Sequence, residues 1–197
     1  MTDGRYGLIE TGIKKNPNPI EVRAIRKEEA IRAAKILGLR ENNLFFLDIE
    51  DKFLNKYKRY ALKEIIKILK ELKPSEIFFP QELEYNIDHR VTNTIVREAL
   101  KRTRISAFEY RYAVAWRFPF YLMLHFLNNE NIFYSFMSCF LRRNLFYVNI
   151  SEFLPIKIKA IKQYQSQIIN YFPKQKRPAL KKSILRNSFK NMEVFFV

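Results

Sequence analysis

The chain has 197 residues, a length at which a single domain buries roughly 70% of its unfolded surface, and its 48% apolar and 28% charged residues exclude a disordered or collagen-like polymer. One cysteine, Cys139, excludes an internal disulfide framework and makes a reducing, cytoplasmic setting the expectation. The formal charge of +16 admits nucleic acid, anionic lipid or a phosphorylated substrate as partners without choosing among them.

The positive charge is spread over Lys14–Lys15, residues 56–73, residues 97–104, Arg142–Arg143 and residues 174–186, mostly on the polar faces of helical patterns. Solvated helix faces therefore account for much of it. No run of 18 uncharged apolar residues and no secretory leader pattern is present, so neither a membrane span nor secretion is expected.

In chain order, residues 1–18 carry Gly4, Gly7, Gly12 and Pro17 with no sustained period, and read as a loop following something that the sequence does not contain. Pro19–Glu21 opens a helix whose apolar positions Val22, Ile25, Ala30, Ala33, Ala34 and Leu37 recur near helical spacing, with Gly38 as its left-handed stop. Leu44–Ile49 is a compact apolar run suited to a buried strand. From Tyr60 to Leu72 the positions Leu62, Ile65, Ile66, Leu69 and Leu72 define an amphipathic helix closed by Pro74.

Glu76–Pro80 reads as the next strand, Gln81–Asp88 as a polar loop, and His89–Lys101 as a helix. Alternating helices and strands in this order predict an α/β fold, a mostly parallel sheet with helices on both faces. Beyond Ile105, residues Phe108, Tyr110, Tyr112, Val114 and Trp116 alternate with smaller or polar ones, the period of a strand with an aromatic face. Residues 118–146 are unusually aromatic and read either as an insertion that contacts a membrane or partner, or as buried core around a loop at Asn128–Asn131. Val148–Ile150 then suits a short strand, Ser151 an N-cap, and Pro155–Ile169 a long closing helix. The whole of 1–197 is expected to be one domain, with 118–146 inserted within it.

Ligands of open parallel sheets bind at the carboxyl ends of the strands, which points to the loop after Ile77–Phe79. It holds Glu82, Glu84, Asn86, Asp88 and His89 within eight residues. A histidine at a helix N-terminus, flanked by carboxylates, can be held neutral and offered to a metal, or can serve as a surface or capping residue. A hydrolytic zinc site needs about three protein ligands and an open position. The remaining candidates, His125 and Cys139, lie in the aromatic segment and complete no such set.

The order Arg26-x-x-Glu29, Ala33-x-x-x-Leu37-Gly38, Leu47-x-x-x-Asp51 and Pro80 through Asp88-His89-Arg90 resembles the LmbE-like and PIG-L-like N-deacetylases. Thr2-Asp3-Gly4 resembles the turn after the family's second strand. The tail is similar as well, in Glu109-Tyr110, Ile150-Ser151, Lys157-x-x-Ala160-Ile161, Tyr164-Gln165-Ser166-Gln167 and Glu193-x-Phe195.

The resemblance implies a Rossmann-like fold and a zinc-dependent hydrolase that removes acetyl groups from N-acetylglucosamine-type amides. It implies His89 as a zinc ligand, Asp88 and Asn86 as catalytic positions, and Arg26 and Asp51 as substrate contacts, Asp51 toward sugar hydroxyls. Asn86 departs from the family's second histidine; its amide can donate to an oxyanion but cannot shuttle a proton. For Arg26 and Asp51 a helix-surface ion pair with Glu29 and a loop cap are the structural alternatives.

The family's His-Pro-Asp-Asp element, which carries two zinc ligands and the general base, does not occur here. An N-terminally truncated form is thus expected, with the other ligands in a missing N-terminal segment. An inactive remnant that binds a sugar or partner is the alternative function. A basic nucleic-acid-binding protein, suggested by residues 174–186 beside Tyr171 and Phe172, is the less favoured one, and peripheral membrane contact through the aromatic segment is compatible with each.

Overall fold

The computed structural model describes residues 1–8, 17–114 and 145–197. They form two compact units, one of Met1–Glu64 with Ile150–Asn191 and the other of Ile65–Asn149 with Met192–Val197.

In the first unit, helix α1 spans Pro19–Ile36. Asn18 caps it, its side-chain oxygen accepting from the Ile20 N–H, and Pro19 occupies a first-turn position where no amide donor is needed. Gly38, at φ +82°, supplies the left-handed exit expected of it. The helix packs against α4, Leu154–Ile161, and α5, Gln165–Ile168. Small residues are among those buried on these helices, Ala33 and Ala34 on α1 and Ala160 on α4, and small side chains let backbones approach closely.

Three expectations for this unit are corrected. Leu44–Ile49 is not a strand: after a 3-10 turn at Glu41–Asn43 the run makes only one parallel bridge, Thr2 to Ile49. The Asp3 N–H donates to the Ile49 carbonyl at 2.9 Å and the Ile49 N–H to that of Met1 at 3.3 Å. Left-handed residues on either side, Asp48 at φ +51° and Gly4 at φ +66°, turn both segments away before a ladder can grow.

Pro155–Ile169 is not one helix. It breaks between α4 and α5, where Gln163 and Tyr164 make tight bonds back to the carbonyls of Ala160 and Ile161. Ser151 is not the N-cap; Phe153 holds that position, Pro155 sets the first turn, and the Ser151 hydroxyl accepts from the Asn191 side chain instead. A further helix, α6 at Lys182–Ser188, was not anticipated.

Helix α2 spans Lys58–Leu72, its first half in one unit and its second in the other. Ala61, Leu62 and Leu69 are buried at helical spacing, and Lys73 in the left-handed region ends the helix before Pro74.

The second unit is built on a strand–helix–strand unit. Strand β1 is Glu76–Pro80, helix α3 Ile87–Thr103 and strand β2 Phe108–Tyr112, and β1 pairs with β2 in parallel from Glu76 opposite Phe108 to Pro80 opposite Tyr112. A parallel pair requires such a crossover, and α3 provides it. Its Ile95, Val96, Ala99 and Leu100 are buried. The Asn93 side chain donates to the Pro80 carbonyl at 2.8 Å, which ties the helix to the end of β1.

Strands β3, Leu145–Asn149, and β4, Met192–Phe196, complete a sheet of order β1-β2-β4-β3, with β4 antiparallel to both neighbours. Phe78 stacks on Tyr110 with centroids 4.8 Å apart, Phe195 meets Phe78 edge-on at 5.3 Å and Phe146 lies 5.5 Å from Tyr110, so the aromatic face expected of β2 is shared by all four strands. The alternation expected to run to Trp116 is a strand only to Tyr112, and Trp116 lies outside the described residues. So do positions 118–144 of the aromatic segment, with His125 and Cys139; its last two residues, Leu145 and Phe146, open β3. The α/β class read from the chain order is the class observed, but the mostly parallel sheet expected is mixed among the described residues: β1–β2 is parallel, and β4 pairs antiparallel with both β2 and β3.

Candidate functional site

The carboxyl end of β1 leads through Gln81–Tyr85 into α3. Asn86 is the N-cap of that helix, and its Oδ1 accepts the Asp88 N–H at 2.8 Å. The cap fixes the amide plane. With Oδ1 committed to the backbone, Nδ2 is the atom of this exposed side chain that remains to donate. Asp88 follows in the first turn and is 3% exposed, a carboxyl placed where the helix dipole favours negative charge.

His89 is the next residue, its side chain 30% exposed, and it faces Glu84 across the loop: Nδ1 lies 3.4 Å from Glu84 Oε2. Glu84 is itself buried. Its other oxygen, Oε1, accepts the Val114 N–H at 2.7 Å, two residues beyond the end of β2, and its backbone carbonyl accepts from Arg90 at 3.0 Å. One carboxylate therefore joins the loop after β1 to the chain after β2, which is the crevice that the parallel-strand rule selects. Tyr112, the last residue of β2, lies beside it. Burial, with a smaller contribution from the Glu84 charge, raises its phenol above the ordinary tyrosine value, so the hydroxyl remains a donor through neutral pH.

The two other sequence-chosen residues lie in the first unit. Arg26, half-buried on α1, extends its guanidinium along the turn at residues 4–7. A Cβ at Gly4 would sit 2.7 Å from Arg26 Nη1, and one at Gly7 would sit 2.6 Å from it, so a side chain at either position would displace the guanidinium, and Gly4 is also in the left-handed region at φ +66°. Burial pulls the guanidinium below its ordinary value while the charges of Asp51, Glu29 and Asp3 pull it back. Among the described residues its buried Nε has no hydrogen-bond partner.

Asp51 accepts the Tyr6 N–H at 3.3 Å, and its own N–H donates to Asp3 at the same distance. Thus Asp51 has the loop-tying role weighed for it, within reach of Arg26. The surface ion pair weighed for Arg26 and Glu29 is not what forms, because Glu29 is fully buried and its carboxylate is bound to Ser166. A cavity of about 300 Å³ opens beside Arg26, lined also by Thr2, Gly4, Arg23, Lys27 and Asp48.

Among the described residues no three of His, Cys, Asp or Glu are gathered closely enough to hold a metal ion. His89 fits one position of a zinc site, as an imidazole whose Nδ1 is engaged by a carboxylate. The described residues do not supply the rest of a ligand set. Sequence reasoning named Asn86, Asp88 and His89 together, and they do cluster; it missed the roles of Val114 and Tyr112, which only the pairing of β1 with β2 brings to Glu84.

A parallel strand–helix–strand unit with acidic side chains and a histidine at its carboxyl end places the chain among Rossmann-like α/β proteins. Residues 1–100 match the family described as PIG-L, GlcNAc-PI de-N-acetylase, and the chain belongs to that family. It is 25% identical over 170 residues to a diacetylchitobiose deacetylase of Thermococcus kodakarensis, a match covering 85% of this chain and 57% of that protein.

Its fold resembles that of an N,N'-diacetylchitobiose deacetylase from Pyrococcus horikoshii, solved with an inhibitor, at a TM-score of 0.59 and 21% identity over 89% of this chain and 59% of the other. It also resembles GalB, the 4-carboxy-2-hydroxymuconate hydratase of Pseudomonas putida KT2440, at 0.58 and 18% over 83% and 64%. The chain thus spans less than two thirds of the length of each of these relatives. No helix among the described residues is long and apolar enough to cross a membrane.

Proposed function

We propose that the chain carries part of the machinery of an N-deacetylase that releases acetate from an N-acetylglucosamine-type amide. The observation that carries this reading is that the family match over residues 1–100 contains Arg26, Asp51, Asn86, Asp88 and His89 in one run. Two relatives with the name diacetylchitobiose deacetylase support an amino sugar as the substrate class.

Hydrolysis adds water to the amide carbonyl, places negative charge on its oxygen, and then breaks the C–N bond to give acetate and the free amine. In this reading the Nδ2 of Asn86 donates to that developing oxyanion, with Oδ1 held by the cap. The buried Asp88 carboxyl supplies negative charge beside His89. Arg26, held in its glycine-lined passage, and Asp51 bind the sugar. Zinc, bound with His89 among its ligands, would polarise the carbonyl and acidify water. A reducing cytoplasmic setting, with contact at a membrane surface where the substrate is lipid-linked, belongs to the same reading.

The test is to incubate the purified protein with N,N'-diacetylchitobiose and zinc and to measure free amine and acetate. Equal release of both is the expected result. Retention of the sugar without release would replace this reading by the binding-module one, and neither binding nor release would overturn both.

A further inference from the structure

We infer that Glu84 is a positioning residue that sets the tautomer of His89, holding the proton on Nδ1 and leaving Nε2 as a bare lone pair. A carboxylate oxygen can only accept, so the contact from Glu84 Oε2 to His89 Nδ1 requires the N–H to be on Nδ1. Glu84 cannot rotate away to suit the ring. Its Oε1 is anchored by the Val114 N–H at 2.7 Å, its own carbonyl is held by Arg90, and the residue is 3% exposed.

His89 in turn sits in the first turn of α3, whose backbone is fixed by the Asn86 cap. The carboxylate is thus held from the chain after β2 and the backbone that carries the ring from the first turn of α3, and with a carboxylate oxygen against Nδ1 the neutral ring carries its proton there. Among the described residues no hydrogen bond reaches His89 Nε2, which leaves that nitrogen as the one that can ligate a metal or accept a proton. The geometry stands without the proposed function; its use in catalysis rests on that reading.

The anchoring makes an isosteric substitution informative. In Glu84→Gln the Val114 N–H demands an acceptor, so the amide oxygen takes the Oε1 position and the amide nitrogen faces the ring. Nδ1 must then accept, and the proton moves to Nε2. The experiment is nitrogen-15 NMR of the metal-free full chain with labelled histidine at about pH 8, where an ordinary imidazole is neutral. There are two histidines, His89 and His125, and the signals lost in His89→Gln assign them.

In the unsubstituted protein His89 is expected to show a protonated Nδ1 and an unprotonated Nε2, and in Glu84→Gln the reverse. A protonated Nε2 in the unsubstituted protein overturns the inference even if the variant fails to fold, as does a folded Glu84→Gln with the tautomer unchanged. Titration with zinc alone separates this inference from the functional one. A shift of Nε2 that weakens about tenfold or more in Glu84→Gln supports both. A tautomer swap with no response of either nitrogen to zinc supports the role of Glu84 and removes the zinc reading.

Discussion

Glu29 and Ser166, 137 residues apart in sequence, are joined by two hydrogen bonds: Glu29 Oε1 accepts the Ser166 N–H at 2.6 Å and Oε2 accepts the Ser166 hydroxyl at 2.7 Å. Both residues are fully buried. A carboxylate on α1 therefore caps the first turn of α5 and breaks the helix that the sequence pattern would otherwise continue through residues 162–164. Hydrogen bonds to a charged group in such surroundings contribute about 1.5–3 kcal/mol, and the loss is larger when the partner stays buried and unmade. Ser166→Ala should lower stability by about 2 kcal/mol and Glu29→Ala by about 3 kcal/mol or more. The shift of the urea midpoint measures both, and equal midpoints for Ser166→Ala and the unsubstituted protein would contradict the clasp.

The cap at Asn86 separates folding from chemistry. Asn86→Ala loses the bond to the Asp88 N–H and should destabilise by about 1 kcal/mol. Asn86→Asp keeps an oxygen for the cap but has no amide donor. Its midpoint should stay within about 0.5 kcal/mol of the unsubstituted protein, while acetate release falls by about 10²-fold or more if the amide serves the oxyanion. Unchanged release in Asn86→Asp would remove Asn86 from the chemistry.

The passage of Arg26 past the turn can be blocked from the opposite side. In Gly7→Ala the new Cβ meets only the mobile end of the guanidinium, so stability should change by less than about 1 kcal/mol while KM rises. Gly4→Ala adds backbone strain at φ +66°, about 1–2 kcal/mol, to the same contact. Denaturation and KM measured side by side distinguish the two, and an unchanged KM in Gly7→Ala would argue against Arg26 as a substrate contact.

Tyr112 predicts the alkaline limb of the stability curve. Its folded-state value lies above the ordinary one of about 10. Between the two the unfolded chain has lost the proton that the folded chain keeps, so stability is intact below about pH 10 and falls as the pH rises beyond it. The Tyr164 phenol, raised by burial and then by the Glu29 charge, acts in the same direction. Urea midpoints taken between about pH 9 and 11 should fall, and the fall should be shallower in Tyr112→Phe. Identical slopes in the two proteins would show that other groups govern this limb.

Local signals carried α1, α2, β1 and α3 into the sequence reading because each is defined within its own residues. Asn18-Pro19 and Gly38 bracket the first, a clean apolar stripe with Pro74 beyond it marks the second, and the run Ile77-Phe78-Phe79 followed by a polar loop marks the strand and the helix after it. The chemistry of the loop was legible too, since Glu84, Asn86, Asp88 and His89 lie within six residues, and a rule about parallel strands selects their position.

What the sequence could not determine depends on partners distant in the chain. Leu44–Ile49 has the composition of a strand, but two left-handed residues leave it one bridge. Pro155–Ile169 has the composition of one helix, but a carboxylate from α1 takes the N–H that would continue it. Strand β4, five residues near the end of the chain, is placed by β2 and β3, which pair with its two edges. The direction of His89 depends in the same way on a backbone N–H after β2, which the register of β1 with β2 brings to Glu84. Residue types and local periods determine which chemistry is available, and hydrogen bonds between distant segments determine which nitrogen or oxygen is left to perform it.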